Sequence, residues 1–224
     1  MTQNQTSLKL LIFDFDGTLV HTAPDIHTAI NDFLISKNQK ILTYEEVLPE
    51  IGMGLEALFK NTFPETIDDL QQFESMTNEF IEMYEGRYLE TPCLFEGTQH
   101  LLDTWKGQVA ILSNKRERHI RAILKHLNLE QLPWVDIIGG DTLKEKKPHP
   151  LPFEHILKKA NCLPEEALMV GDGEPDILGA KNLNIPSIAV TFGYGNIEKL
   201  KALGAWKIVN SYKELLLLAE SLAE

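Results

Sequence analysis

The chain has 224 residues, of which 43% are hydrophobic and 24% charged, and it carries a formal net charge of −12. That length suits one medium domain, or a core with a modest insert, and suffices to bury a sizeable interior. So acidic a chain disfavours nucleic acid and anionic membranes as partners, since both reward basic surface. No apolar run is long enough to span a bilayer, and the opening MTQNQTSLK lacks the apolar stretch of a signal peptide. Cys93 and Cys162 stand far apart in no metal-like spacing, so both are expected as reduced thiols of a cytoplasmic protein.

The first expected strand covers residues 8–13, and at its end stand Asp14 and Asp16 with one Phe between them. Side chains two apart in an extended chain project to the same side, so the two carboxylates share one site if extended geometry persists through Asp16. Two readings fit the pair. One is a polar strand end before a turn; the other is a site where a divalent cation such as Mg²⁺ removes the repulsion between the acids. A calcium EF-hand loop fits poorly, because Leu19 and Asp25 stand where that pattern needs Gly and Glu.

From about His21 to Pro92 no strand is expected. Ile26, Ala29, Ile30, Phe33 and Leu34 make one helical stripe, and Phe73, Met76, Phe80, Ile81, Met83 and Tyr84 make a second. Between them the loop Ile51-Gly52-Met53-Gly54 leads into a short apolar helix, and Pro92 and Gly97 punctuate the return. The expected organisation is a helical cap at 21–92, inserted into an α/β core made of 1–20 and 93–224.

Further strands are expected at 109–112, 135–138, 167–170, 187–190 and 207–209. An amphipathic helix is expected over 116–127, another carrying Ile177, Ala180 and Leu183, and a last one in LLLLAESLAE. Near-continuous apolar strands linked by helices predict a doubly wound, Rossmann-like parallel sheet covered on both faces. Such sheets bind ligands beyond the carboxyl ends of their strands. There stand Ser113 and Asn114, a helix-start pair suited to an anion or to capping alone. Lys144, Lys146 and Lys147 follow the next strand; lysine clusters are usually solvated, but Pro148 restricts Lys147 towards an extended backbone that would aim its amine. Asp172 and Asp176 follow the strand after that, as further ligands or as helix-capping acids. Taken in order, an acid pair, a hydroxyl, a lysine and a second acid pair at four strand ends converge on one metal–phosphate site.

The sequence resembles the haloacid dehalogenase superfamily of phosphohydrolases. The matching motifs are DFDGT from Asp14 to Thr18, SN at Ser113 and Asn114, KP at Lys147 and Pro148, and GDxxxD at Asp172 and Asp176. It is more closely similar to the phosphoglycolate phosphatase-like branch through LVHTAPDI, IGMGLEAL, PCLFEGTQHLL and AVTFGYG. The resemblance implies a Mg²⁺-dependent phosphatase acting on a small phosphorylated metabolite, phosphoglycolate-like or a sugar phosphate, as monomer or homodimer. It implies Asp14 as the nucleophile that carries an aspartyl-phosphate, and Asp16 as general acid and base. Asp14, Asp172 and the backbone carbonyl of Asp16 would hold Mg²⁺, supported by Asp176. Thr18, Ser113, Asn114 and Lys147 would meet the phosphoryl group, and the Gly52-Met53-Gly54 loop would shape specificity. Met53 stands where some relatives carry Arg, His21 where relatives often carry an acid, and Asn184 where a Gly is common. Ala57 stands where phosphonatase-type relatives place a cap lysine. A sugar-phosphate mutase of the same superfamily is the competing expectation. A non-catalytic phosphate-binding protein would not need both Asp14 and Asp16.

Overall fold

A computed structural model describes residues 7–63 and 70–223. Residues 1–6 of the expected core, 64–69 of the expected cap and Glu224 lie outside the described residues. Strand β1 (Leu10–Phe13) is apolar and wholly buried. After it come a two-residue strand β2 (Val20–His21) and the helices α1 (Ala23–Ser36), α2 (Tyr44–Ile51), α3 (Leu55–Thr62) and α4 (Leu70–Glu85). Strand β3 (Cys93–Leu94) pairs antiparallel with β2, Val20 against Leu94 and His21 against Cys93. The helical insert therefore leaves and rejoins the core through one short ribbon. Two-residue strands have no periodicity, so the sequence pattern did not reveal them. Beside the ribbon, Asp25 in the first turn of α1 accepts the Thr91 N–H at 3.1 Å and the Thr91 hydroxyl, pinning the outgoing chain to the returning one.

The remaining elements alternate as the sequence predicts: α5 (Thr98–Thr104), β4 (Gln108–Leu112), α6 (Glu117–His126), β5 (Trp134–Ile138), α7 (Pro150–Ala160), β6 (Ala167–Gly171), α8 (Glu174–Asn182), β7 (Ser187–Val190), α9 (Ile197–Leu203), β8 (Lys207–Val209) and α10 (Tyr212–Ala223). Among the described residues, six strands form one sheet in the order β5-β4-β1-β6-β7-β8, all pairs parallel. Alternate residues of β1 serve opposite faces. Leu11 and Phe13 join a core with Ile120, Ile123 and Leu215, while Leu10 and Ile12 join another with Phe153, Ile156 and Ala180. The chain reaches β6 by crossing to the other side of β1, which places the topological switch point, and hence the ligand crevice, above β1.

The insert has its own apolar core. The stripe of α1 is buried as its spacing predicts, and α2 begins with a capping box in which Thr43 and Glu46 each satisfy the other's backbone N–H, at 3.3 and 2.8 Å. Phe33 is fully buried, with the rings of Phe59, Phe63 and Phe80 centred 5.2, 5.7 and 6.1 Å away. Truncating a buried Phe removes its transfer energy and leaves a cavity, so Phe33→Ala is expected to destabilise the protein by about 3–5 kcal/mol. A urea titration checks this as a lowered midpoint for the transition that includes the insert.

Candidate active site

The first acids are positioned by the end of β1. Asp14 N–H still donates to Val170 O at 2.9 Å, continuing the ladder with β6. Gly17 then turns the chain with φ +77°, and a Cβ there would lie 2.2 Å from Asp172 Oδ2. Only glycine allows the loop to pass so close beneath Asp172 in that conformation. Asp172 is held at both oxygens, by the Thr18 hydroxyl on Oδ1 and the Tyr194 N–H on Oδ2, each at 2.8 Å. Thr18 thus spends its hydroxyl on orienting a carboxylate.

Three buried acids from two strand ends meet here: Asp14, Asp172 and Asp176 each place an oxygen within 4.8 Å of the others. Lys147, whose side chain is wholly buried, reaches them from the segment after β5, 2.9 Å from Asp14 Oδ1 and 2.5 Å from Asp176 Oδ1. Burial works against its charge, but the two carboxylates hold the amine above its ordinary range. Burial and the neighbouring Asp176 push the Asp14 carboxyl up to about 6 in spite of Lys147. Burial, then Asp14 and Asp176, push Asp172 up to about 8. One lysine cannot neutralise three carboxylates, and an all-oxygen donor set suits a hard divalent cation. The residues present therefore fit Mg²⁺.

Asp16 faces a different environment. Its Oδ1 accepts the Thr22 hydroxyl at 2.5 Å, and its two oxygens lie 3.1 and 3.3 Å from Lys115 Nζ. The same amine donates to the Tyr84 hydroxyl of α4 at 2.7 Å. Burial opposes the Lys115 charge, but Asp16 and Tyr84 outweigh it and hold the group protonated. A cavity of about 190 Å³ opens between core and insert, lined among others by Asp16, Lys115, Tyr84, Arg116, Lys146 and Gly54.

Of the other expected site residues, Ser113 is buried directly after β4, its Oγ accepting Lys115 N–H at 3.3 Å. Asn114 donates to the carbonyls of Gly52 and Lys147, at 3.4 and 3.2 Å, and so ties the insert's loop to the core. That loop is divided: Gly54 lines the cavity with Asp16, while Gly52 and Met53 line a second cleft with Asp172 and Tyr194. His21 lies in the hinge ribbon, bonded to Tyr194 at 3.0 Å. Lys115, Thr22, Tyr84 and Tyr194 were not among the residues expected at the site. Lys115 had one available signal, its place immediately after Ser113-Asn114; Tyr84 was absorbed into an apolar helical stripe. Both cysteines are free thiols.

A doubly wound sheet with a carboxylate–lysine cluster at its switch point and a helical insert after the first strand defines a class of hydrolase. The chain belongs to the haloacid dehalogenase-like hydrolase family, whose model matches residues 11–190. It is an enzyme of the phosphoglycolate phosphatase-like kind. The phosphoglycolate phosphatase of Colwellia psychrerythraea is 33% identical over 217 residues, covering 93% of this chain and 96% of that protein. Phosphoglycolate phosphatase 1 of Pseudomonas aeruginosa is 30% identical, covering 96% and 81%. The crystal structure of a predicted phosphoglycolate phosphatase from Haemophilus somnus 129pt matches with a TM-score of 0.85 at 27% identity, covering 94% of this chain and 97% of that one. Among the described residues no helix is long and apolar enough to cross a membrane.

Proposed function

We propose that the protein is a Mg²⁺-dependent phosphatase that hydrolyses a small phosphorylated metabolite in the cytoplasm through an aspartyl-phosphate on Asp14. The observation that carries this reading is the division of labour at the end of β1: Asp14 sits among carboxylates and Lys147, while Asp16 faces a separate cavity. Asp14 attacks phosphorus and forms the acyl phosphate, splitting one displacement into two. Asp16 gives a proton to the departing alcohol oxygen and later takes one from the water that attacks the intermediate. Thr22 and Lys115 orient the Asp16 carboxylate for both transfers. Lys147 and Ser113 face the phosphoryl oxygens. Mg²⁺, held by Asp14, Asp172 and the backbone carbonyl of Asp16 and supported by Asp176, would offset the charge of the phosphoryl group. Residues 21–92 act as a cap that covers the site and keeps bulk water from it.

The cavity is small, and it is lined by Arg116, whose guanidinium makes no ion pair with another described residue. A guanidinium without an ion pair among the described residues suits a second anionic group such as a carboxylate, which favours a phosphoglycolate-like substrate over a neutral sugar phosphate. The test is a free-phosphate assay across esters of two to six carbons. Excess chelator is expected to abolish release and Mg²⁺ to restore it, with a two-carbon carboxylate-bearing ester used faster than ethyl phosphate. Full turnover in chelator would rule out the metal site; equal use of the two esters would rule out the role given to Arg116.

A further inference from the structure

We propose that Tyr194 is a positioning residue that couples the placement of the helical insert to Asp172. The proposal rests on reading Asp172 as part of the active site. Helix N-termini leave their first amides without partners, and a Thr at the N-cap ordinarily satisfies one of them with its hydroxyl. Thr22 is the N-cap of α1 and makes no such bond; its hydroxyl donates to Asp16. The phenol of Tyr194, from the loop after β7, instead serves the two amides before those a cap ordinarily meets, those of the N-cap residue and of the first helical residue. Its oxygen accepts Thr22 N–H at 2.9 Å and Ala23 N–H at 3.1 Å, and lies 3.0 Å from His21 Nδ1. A phenol can accept twice and donate once, so its proton goes to His21 and its hydrogen-bonding capacity is filled.

The other end of the same residue is fixed to the catalytic cluster, through Tyr194 N–H on Asp172 Oδ2. The flanking glycines make that approach possible. A Cβ on Gly193 would lie 2.3 Å from Asp172 Cβ, and one on Gly195 would lie 1.7 Å from Asp172 O, so the loop backbone is pressed against this acid. The ring fills the gap between, packed against His21 of β2 and Phe95 just beyond β3, with centroids 5.8 and 6.3 Å away. The start of α1 therefore contacts Asp16 through Thr22 and Asp172 through Tyr194. Rotation of the insert about the hinge ribbon strains both contacts at once, and a ligand that orders the two acids draws the insert into place.

Tyr194→Phe keeps the ring and the backbone N–H on Asp172 but removes the phenol oxygen. Amide hydrogen exchange at Thr22 and Ala23 reads the contact directly, in protein with Mg²⁺, before and after addition of orthovanadate as a phosphoryl mimic. In the native protein vanadate is expected to slow both amides about 10-fold or more, and Tyr194→Phe to exchange them about 10-fold faster and lose most of that slowing. KM for an alkyl phosphate is expected to rise about 10-fold with kcat changed less than about 3-fold. Unaltered exchange in the variant, no vanadate response in the native protein, or a lower melting temperature with the vanadate response and KM intact each overturns the proposal. If Tyr194→Phe proves insoluble, His21→Ala, which removes the acceptor of the phenol proton together with the ring packed on Tyr194, is expected to speed the same amides, and unchanged exchange there overturns it too. Exchange without vanadate is read independently of turnover. An enzyme that releases no phosphate from any ester, yet shows the exchange difference, refutes the phosphatase reading and not the contact.

Discussion

Asp14→Asn is expected to lower phosphate release from every ester by roughly 10⁴–10⁶-fold, the scale on which removal of a nucleophile acts. An amide oxygen does not attack phosphorus at a useful rate, and no neighbouring group is placed to substitute. Asp172 has both oxygens engaged by Thr18 and Tyr194, and Asp176 is bound by Lys147 and by the Gly173 N–H at 2.9 Å. The loss should occur without unfolding. Asp14 is one of three crowded carboxylates, and burial, then their mutual repulsion, raises the Asp14 and Asp172 carboxyls, so a neutral residue there relieves both in the metal-free protein. Its cost is one of the two ion pairs of Lys147, while the Asp176 contact at 2.5 Å remains. Steady-state assays of freshly purified variant, paired with a thermal melt in chelator, should show activity gone and the melting temperature held or raised. Activity within tenfold of the native enzyme would remove Asp14 from the chemistry.

The parts of this site that could be read in the sequence are those fixed by the parallel sheet. Once the strands alternate with helices, the residues after β1, β4 and β6 must share one edge, and Asp14, Ser113 and Asp172 stand there. Lys147, a lysine before proline, was expected at the same site from the order of the motifs and from the family resemblance, and the fold adds its two carboxylate partners, Asp14 and Asp176. What stayed hidden depends on contacts across long stretches of chain. Lys115 bonds Asp16 from 99 residues away and Tyr84 from 31, and Tyr194 meets Thr22 from 172. No local pattern encodes such pairs, and Tyr84 looked like packing because it also packs, buried against Phe80 and Tyr88. Local features fared better where one residue decides. Asn184, standing where a Gly is common, adopts φ +57°, a left-handed conformation that Asn tolerates, so its effect is confined to a turn. The Gly52-to-Gly54 loop shows the opposite case. Its two glycines predict a close approach to the site, but which of its residues faces which cleft follows from how the insert sits on Asn114.

Asp16→Asn is expected to separate the two halves of the reaction. General acid–base assistance is worth roughly 10²–10⁴-fold, and an alkyl phosphate, with its poor leaving group, needs the proton that we propose Asp16 supplies. Hydrolysis of alkyl esters should fall by about that factor. Nitrophenyl phosphate leaves readily without a proton, so the variant should still phosphorylate Asp14 and then stall, because the incoming water has lost its base. The surroundings of Asp16 make the substitution a fair one. The Asn carbonyl can still accept from Thr22 and Lys115, the backbone carbonyl is unchanged, and Lys115 keeps its Tyr84 partner at 2.7 Å. What disappears is one negative charge beside a buried amine and the capacity to move a proton. A rapid-mix experiment with nitrophenyl phosphate should therefore show a burst of nitrophenol near one equivalent of enzyme, followed by slow turnover. The native enzyme, with both steps assisted, should show no such arrest. If the burst slows as severely as alkyl ester cleavage, the proton is not what Asp16 contributes. Its role would then lie in anchoring Lys115 and Thr22, and through them in seating the cap.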